Sequence, residues 1–421
     1  MNILMMSNTY LPFVGGVERS IETFKKEYQR SGHSVLVVTP QLNDKDENED
    51  DILRVPAIQH FNGTDFSVQL PIPGILSNTL KQFKPDIVHS HHPFMLGDSA
   101  LRVAAQFRVP LVYTFHTFYE RYTHYIPMDS AALKRFVIAL STGYANLCDR
   151  VFAPSLSVAM ELRRRGVTSD IDVVPTGIDI ERFSSGDGSL FRSEMDIDPD
   201  SFLIGFVSRI APEKNVEFLI DSIIHFMRNN SNTKFLIIGR GPLESWLWSQ
   251  FEENKLTNRV YWAGTLEGQR LVDAYHAMDL FVFASKTETQ GLVITEAMAA
   301  GIPVVALDGP AVNEIVKDFE NGRLINNQDR DQFCDAISWV KGAGRRIRNE
   351  LRKKTRATAE PFSKERCASR ALSIYSQLLL MDGHHARELS DSMWLKAKRM
   401  IKAELDLIKN MTRATGAAIS D

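Results

Sequence analysis

Glu288 and Glu296 lie eight positions apart in Glu288-Thr-Gln-Gly-Leu-Val-Ile-Thr-Glu296, after the apolar run Asp279-Leu-Phe-Val-Phe-Ala-Ser285 and before Ala297-Met-Ala-Ala-Gly301. A buried strand that ends in a polar loop and then enters a helix brings Glu288 to the mouth of a crevice, where open α/β sheets bind ligands. Glu296, about two turns further on, could grip the other end of one extended ligand. Two neighbouring carboxylates could equally suggest the acid and nucleophile of a glycoside hydrolase.

Three other groups could share such a site. The first apolar run leads into Thr9-Tyr-Leu-Pro-Phe-Val-Gly15-Gly16-Val-Glu18, followed by the helical pattern Ile21, Phe24, Tyr28. Glycines at a strand-to-helix turn let backbone N–H groups approach a phosphate at the positive end of a helix, though a plain tight turn explains them as well. The pattern is not Gly-x-Gly-x-x-Gly, so a nicotinamide site loses its main support. Later, Phe202-Leu-Ile-Gly-Phe-Val-Ser208 runs into Arg209-Ile-Ala-Pro-Glu-Lys214-Asn215. Arg as a fork and Lys as a point charge could clamp a diphosphate, and a solvated basic pair beside a helix start is an equal reading. His116, in Thr114-Phe-His-Thr117, sits at a strand end, which favours a site over a structural role. His89-Ser-His91-His92 lacks a neighbouring Cys or a third-ligand pattern, so an interdomain loop is preferred to a zinc site, and no metal is expected.

Positioning these residues requires a layered α/β frame. Short apolar runs at 2–6, 34–39, 86–90 and 110–114 do not alternate, as in parallel strands buried on both faces. The same grammar restarts after Ser184-Ser-Gly-Asp-Gly-Ser189, at 202–208, 234–239, 259–263, 279–284 and 303–307. The expected architecture is two doubly wound, Rossmann-like parallel-sheet domains joined near 180–200, with an interdomain cleft as the site. Residues 1–183 form the first domain and 184–361 the second. A helix over 362–381 crosses back to the first domain, and 382–421 form a basic amphipathic helical tail. Asp382-Gly383 breaks the helical stretch, and the tail helix is expected from about Leu389 to Met411. The acidic stretch 42–51 reads as an exposed connection in preference to an ion-binding loop.

Composition bounds the class. The 421 residues are 44% hydrophobic and 24% charged, enough for two or three ordinary domains. No run of 18 or more uncharged apolar residues occurs, and Asn2-Ile-Leu-Met-Met6 has no basic flank, so neither a membrane span nor a secretory signal is read. Cys148, Cys334 and Cys367 are few and scattered, which suits a reducing compartment. The net charge of -3 hides an asymmetry: residues 341–421 carry 18 Lys and Arg against 9 Asp and Glu.

Gly15-Gly16, Arg209 with Lys214, Gly239-Arg-Gly241-Pro242, the Glu288 to Glu296 pair and Ala297-Met-Ala-Ala-Gly301-Ile-Pro-Val-Val together resemble family 4 retaining glycosyltransferases of the GT-B fold, over about residues 1–380. The resemblance implies that Arg209 and Lys214 hold the diphosphate of a nucleotide sugar and stabilise charge on the departing nucleotide. Gly15 and Gly16 would face that diphosphate from the opposite domain. Gly241 is a further donor-binding position. Glu296 would accept hydrogen bonds from the ribose, and Glu288 would lie beside the sugar with the Gln290, Gly291 and Leu292 amides nearby. His116 matches a histidine that contacts the sugar, so His116, Arg209, Lys214 and Glu288 are the expected catalytic set. The two glutamates then serve different parts of one donor, which sets aside the hydrolase reading. The family uses no Asp-x-Asp metal motif, and front-face transfer assisted by the leaving phosphate is its usual proposed route, so no cofactor is required.

The segment His116-Thr-Phe-Tyr-Glu-Arg-Tyr-Thr-His-Tyr-Ile-Pro127 and the variant Glu288-Thr-Gln-Gly-Leu292 are similar to bacterial diacylglycerol glucosyltransferases. That similarity implies glucose transfer from UDP-glucose to a membrane diacylglycerol, with Tyr119, Arg121, Tyr122, His124 and Tyr125 on the acceptor side. A UDP-sugar is expected ahead of a GDP-sugar. Phosphatidylinositol, a polyprenyl-linked glycan or a soluble sugar phosphate are the alternative acceptors, and a non-catalytic nucleotide-sugar sensor is the alternative class. In the tail, Met393, Trp394, Ala397, Met400, Ile401, Leu405, Leu407 and Ile408 share one helical arc, interrupted by Glu404, with Lys396, Lys398, Arg399, Lys402 and Lys409 around the remainder. Residues 390–411 could lie on an anionic membrane or pack on protein. The expected setting is cytoplasmic, peripheral on the inner face of the cytoplasmic membrane, with no nucleic-acid partner.

Overall fold

The computed structural model describes residues 1–13, 15–41, 50–58, 68–69, 73–123, 130–381 and 393–419. Most of the acidic stretch, His124, Tyr125 and Asp382-Gly383 lie outside these described residues. The chain divides into two compact units, 1–177 with 365–421, and 178–364.

The first unit is built on β1 (Asn2–Met6), β2 (Ser34–Pro40), β3 (Ile52–Val55), a small antiparallel pair β4 (Ala57–Ile58) and β5 (Val68–Gln69), β6 (Ile87–Ser90), β7 (Leu111–Thr114), β8 (Arg150–Ala153) and β9 (Asp170–Val173). The main sheet runs β3-β2-β1-β6-β7-β8-β9, parallel at every step. Ile3, Leu4, Met5 and Met6 are all buried, because successive side chains enter the helical layers on opposite faces. The chain moves outward from β1 to β2 and β3 and then returns to the other side of β1. The order therefore reverses between β1 and β6.

The second unit holds β10 (Phe202–Val207), β11 (Thr233–Ile238), β12 (Val260–Gly264), β13 (Leu280–Phe283), β14 (Val304–Leu307) and β15 (Gly322–Ile325). Its order is β12-β11-β10-β13-β14-β15, again parallel throughout, with the reversal between β10 and β13.

Two C-terminal helices belong to the first unit. Lys364–Met381 buries Cys367, Ala371, Ile374 and Leu378, spaced to share one face, among residues from β1, β2 and the helix Gly16–Arg30. Its Tyr375 hydroxyl lies 2.6 Å from His89 Nδ1. The tail helix spans Met393–Ile419, eight residues beyond its expected end, and packs on the helices Leu96–Phe107 and Ala131–Ala145. It docks through a small and polar seam. Ala403, Asn410 and Ala414 are buried, Asn410 Nδ2 donates to the Leu140 carbonyl at 3.1 Å, and Arg399 Nε donates to that of Ala105 at 3.2 Å. Gly143 permits the close crossing, since a Cβ there would lie 1.7 Å from Asn410 Oδ1. Arg135 donates to the Ala417 and Ala418 carbonyls at 3.1 Å each, satisfying acceptors that the helix end leaves open. Glu404, which interrupts the apolar arc, pairs with Arg102 at 2.5 and 3.1 Å. That pair is solvent-screened and worth at most about 1 kcal/mol.

Candidate functional site

In an open α/β sheet, ligands bind beyond the carboxyl ends of the strands, where the strand order reverses. In the second unit this point lies between β10 and β13, and the residues singled out in the sequence leave those two strands. After β10 come exposed Arg209 and a 3-10 turn, Pro212–Lys214. After β13 comes Glu288. Lys214 Nζ donates to Glu288 Oε1 at 2.5 Å, and both side chains keep partial exposure. Asn215 closes the 3-10 turn in the left-handed region, at φ 54°. Its amide donates to the Ala284 carbonyl at 3.1 Å and accepts from Gln328 Nε2 at 3.1 Å. Thr287 Oγ1 donates to the Glu213 carbonyl at 3.1 Å. The two loops are thus tied together directly behind the Lys214–Glu288 pair.

Beyond Glu288 the chain turns at Gly291, φ 77°, a conformation that a side chain would strain. The helix Leu292–Ala299 follows, so the Leu292 and Val293 amides open its N-terminus, favourable to anionic groups. Gln290 and Glu296 are buried. Glu296 lies about one turn inside this helix, with the turn at Gly291 between it and Glu288. Its Oε2 accepts from the Tyr275 hydroxyl at 2.9 Å. Tyr275 is fully buried on the helix Gly268–Ala277, and its spacing from Glu296 gives no sequence signal. Gly239 and Gly241 have a packing reason to be glycine. Side chains there would lie 1.9 Å from the Ser208 carbonyl oxygen and 2.3 Å from that of Ile210, so the Gly239-Arg240-Gly241 loop rests on the loop that carries Arg209.

In the first unit the reversal falls between β1 and β6. The loop after β1 is sewn to the loop after β6: the Asn8 amide N–H donates to His92 Nδ1 at 3.1 Å, Asn8 Nδ2 donates to the Phe94 carbonyl at 3.1 Å, and Asn8 Oδ1 accepts from the Leu96 N–H at 3.0 Å. Gly15 is extended, and Gly16 opens the helix Gly16–Arg30. The carboxylate of Glu18 packs against Gly15, where a Cβ would meet it at 2.5 Å.

The expectation for His89-Ser-His91-His92 is corrected here. His89 and Ser90 close β6, all four residues are buried, and the segment is part of the first unit's interior, not a loop between domains. Both His89 nitrogens are engaged, Nδ1 with Tyr375 and Nε2 with Thr114 Oγ1 at 2.7 Å. Among the described residues no group of three or more His, Cys, Asp or Glu is disposed to hold a metal ion. His91 Nδ1 meets His116 Nε2 at 2.9 Å, and the two rings stack. Burial pushes His89 and His92 down to about 3, and burial with neighbouring imidazoles holds His91 and His116 well below the ordinary value. At neutral pH this cluster therefore offers neutral imidazoles.

On the segment expected to face the acceptor, Tyr119–Arg121 form a 3-10 turn packed on the helix Ala131–Ala145. The Tyr119 ring lies edge-on to Phe94, and the Arg121 guanidinium sits 4.9 Å over the Phe118 ring. Tyr122 ends the turn, its N–H donating to the Tyr119 carbonyl. Glu120 is held at 2.7 Å by Arg165, which also pairs with Glu161 at 2.7 Å. The Tyr119 hydroxyl and His91 Nε2 are buried without a hydrogen-bond partner among the described residues. His124 and Tyr125 lie outside those residues.

Two parallel sheets with polar loops gathered at their reversal points define the GT-B class of glycosyltransferase. Residues 14–182 match the family model described as Glycosyltransferase Family 4, and residues 189–359 match that of Glycosyl transferases group 1, so the chain belongs to this glycosyltransferase family and is a hexosyltransferase. It is 28% identical over 392 residues to the α-monoglucosyldiacylglycerol synthase of Acholeplasma laidlawii, covering 90% of this chain and 98% of that one. With the enzyme of the same description from Streptococcus pneumoniae it shares 31% identity over 77% of this chain and 75% of the relative. A GDP-mannose-dependent α-mannosyltransferase of Corynebacterium glutamicum is 29% identical over 81% of this chain and 80% of its own. The fold is also that of the Anabaena protein HepE solved in complex with UDP, with a TM-score of 0.69 at 20% identity, covering 90% of this chain and all of that one.

Proposed function

We propose that the chain transfers glucose from UDP-glucose to a diacylglycerol-type membrane lipid with retention of the α configuration. The observation that carries this reading is the Lys214–Glu288 pair at the reversal point of the second sheet, beside exposed Arg209. Arg209 and Lys214 take the donor diphosphate, with Lys214 exchanging a carboxylate oxygen for a phosphate oxygen. Glu296, oriented by Tyr275, accepts from the ribose hydroxyls, and the amides around Gly291 and Leu292 face anionic oxygen. Gly15, Gly16, Gly241 and Gln290 complete the donor contacts, Glu288 and His116 flank the sugar, and Tyr119, Arg121 and Tyr122 serve the acceptor.

The bond from the anomeric carbon to the diphosphate breaks while the acceptor hydroxyl adds from the same face. The hydroxyl proton passes to the leaving phosphate oxygen, and the products are an α-glucosyl lipid and UDP. Charge on the departing diphosphate grows along this path, so its contacts to Arg209 and Lys214 strengthen in the transition state. The lipid acceptor is supported by the two monoglucosyldiacylglycerol synthases, and the mannosyltransferase relative keeps GDP-mannose as the second donor to test. A matrix of UDP-glucose, UDP-galactose and GDP-mannose against diacylglycerol and phosphatidylinositol tests the reading, with nucleotide release and product anomer as readouts. An α-glucosyl product on diacylglycerol is expected. Preferential use of GDP-mannose, a β product, or donor binding without turnover would overturn the corresponding part.

A further inference from the structure

The tail helix is docked the opposite way round from an ordinary surface helix. An amphipathic helix on a globular protein turns its apolar stripe inward. Here the inward seam is Arg399, Ala403, Glu404, Asn410 and Ala414, while Ile401, Leu405, Ile408 and Met411 are 61%, 50%, 60% and 48% exposed. Positions 401, 405 and 408 follow one another by four and three residues and so form a continuous outward stripe; Ile419, 77% exposed, lies on the same face about three turns further on, past Thr412 and Thr415. Lys398, Lys402, Lys409 and Arg413 share a second helical register on one side of that stripe, and all four are exposed. Asp406 is the only acidic residue on that side among the described residues of the helix.

We infer that this outward face of Met393–Ile419 is a docking surface for an anionic lipid bilayer, holding the helix flat at the headgroup boundary. An apolar stripe of widely spaced aliphatic side chains beside a row of cations fits acyl chains below and phosphates alongside. The helix is about 40 Å long, so it can engage many lipids at once. A second copy of the chain fits less well, because an antiparallel pairing through the same stripe would set like-charged rows against one another. The seam is made by the tail's own small and polar residues, so the stripe remains available while the helix stays docked. The helix Ala131–Ala145, which carries the tail, also carries the Tyr119–Arg121 turn, so acceptor segment and lipid surface are built on one support. The inference rests on the lipid-acceptor reading for its purpose. Among the described residues no helix is long and apolar enough to cross a membrane, and this surface supplies another means of attachment.

Flotation of the full chain with phosphatidylcholine vesicles, alone or mixed with phosphatidylglycerol, tests the surface. Binding is expected to the mixed vesicles and to be weak on phosphatidylcholine alone. Lys402→Gln with Lys409→Gln should weaken it roughly 30-fold, the attraction of two surface cations. Ile401→Asp with Ile408→Asp should abolish it, with an unchanged circular dichroism spectrum because both side chains are exposed. Flotation of both variants at the level of the unmodified chain would overturn the inference. So would a dimer in light scattering that the Ile variants convert to monomer without any vesicle binding. Transfer to short-chain diacylglycerol in detergent micelles, measured on the same proteins, separates the two proposals. If the acceptor reading alone fails, no form glycosylates the micellar lipid while the flotation pattern holds. If the surface alone fails, every form glycosylates it and all float alike.

Discussion

Lys214 and Glu288 hold each other where the proposed diphosphate must arrive, so the free site is already organised around a charge that the donor replaces. Lys214→Ala should lower kcat roughly 100-fold, the scale on which a contact to developing charge acts, with a smaller effect on donor affinity. Steady-state kinetics with saturating lipid check this, and unchanged kcat would remove Lys214 from the leaving-group role. Glu296→Ala should act the other way, raising the donor Kd with little change in kcat. Tyr275→Phe deletes only the hydroxyl that bonds Glu296, and it should weaken donor binding several-fold, measured by calorimetry, while Tyr275→Ala also opens the interior. Glu296 stood out in the sequence because a helix follows its strand. Tyr275 did not, because hydrogen-bond partners brought together by helix packing leave no spacing in the chain.

At the scale of elements, nine strands announced themselves as apolar runs, and β3, β8, β9 and β15 did not. Asp170-Ile-Asp-Val and Gly322-Arg-Leu-Ile carry charge or glycine because they form sheet edges, where one side needs no apolar cover. The segment His89-Ser-His91-His92 misled for a related reason: polar residues that satisfy one another inside a fold have the composition of a loop. Its burial has a measurable consequence. The folded unit keeps these imidazoles neutral, whereas the unfolded chain takes up protons below about pH 6.5. Their contribution to stability is therefore complete above about 6.5 and is lost as the pH falls toward about 3, by about 2 kcal/mol per fully buried imidazole at about pH 5. Urea midpoints between neutral and mildly acidic pH should fall more gently in His92→Gln than in the unmodified chain, and equal slopes would contradict the assignment. The reversal points were out of reach of the sequence, since strand order depends on pairings among distant segments. The loops that meet there had nonetheless been singled out by residue type.

For the whole molecule, the basic C-terminal fifth resolves into distinct parts. The helix Arg345–Ala359 presents seven cations with Glu350 as its only acid, and the tail presents the row beginning at Lys398. Vesicle binding should therefore weaken steeply as salt shortens the range of these charges, and salt-independent flotation would mean that the apolar stripe acts alone. Removing 393–421 should destabilise the first unit, because the residues around Gly143 and Leu140 lose their cover and Arg102 and Arg135 lose their partners. A lower melting temperature for the truncated chain is the expected result.

The helix Lys364–Met381 also sets an order of events during synthesis. Side chains from Cys367 to Leu378 complete the interior beneath β1 and β2, yet they are translated more than three hundred residues later. The second unit, a continuous stretch, can close as soon as it leaves the ribosome. The unit that opens the chain must wait with part of its apolar surface uncovered until the helix Lys364–Met381 emerges, which makes it the natural client of a chaperone that holds nascent chains.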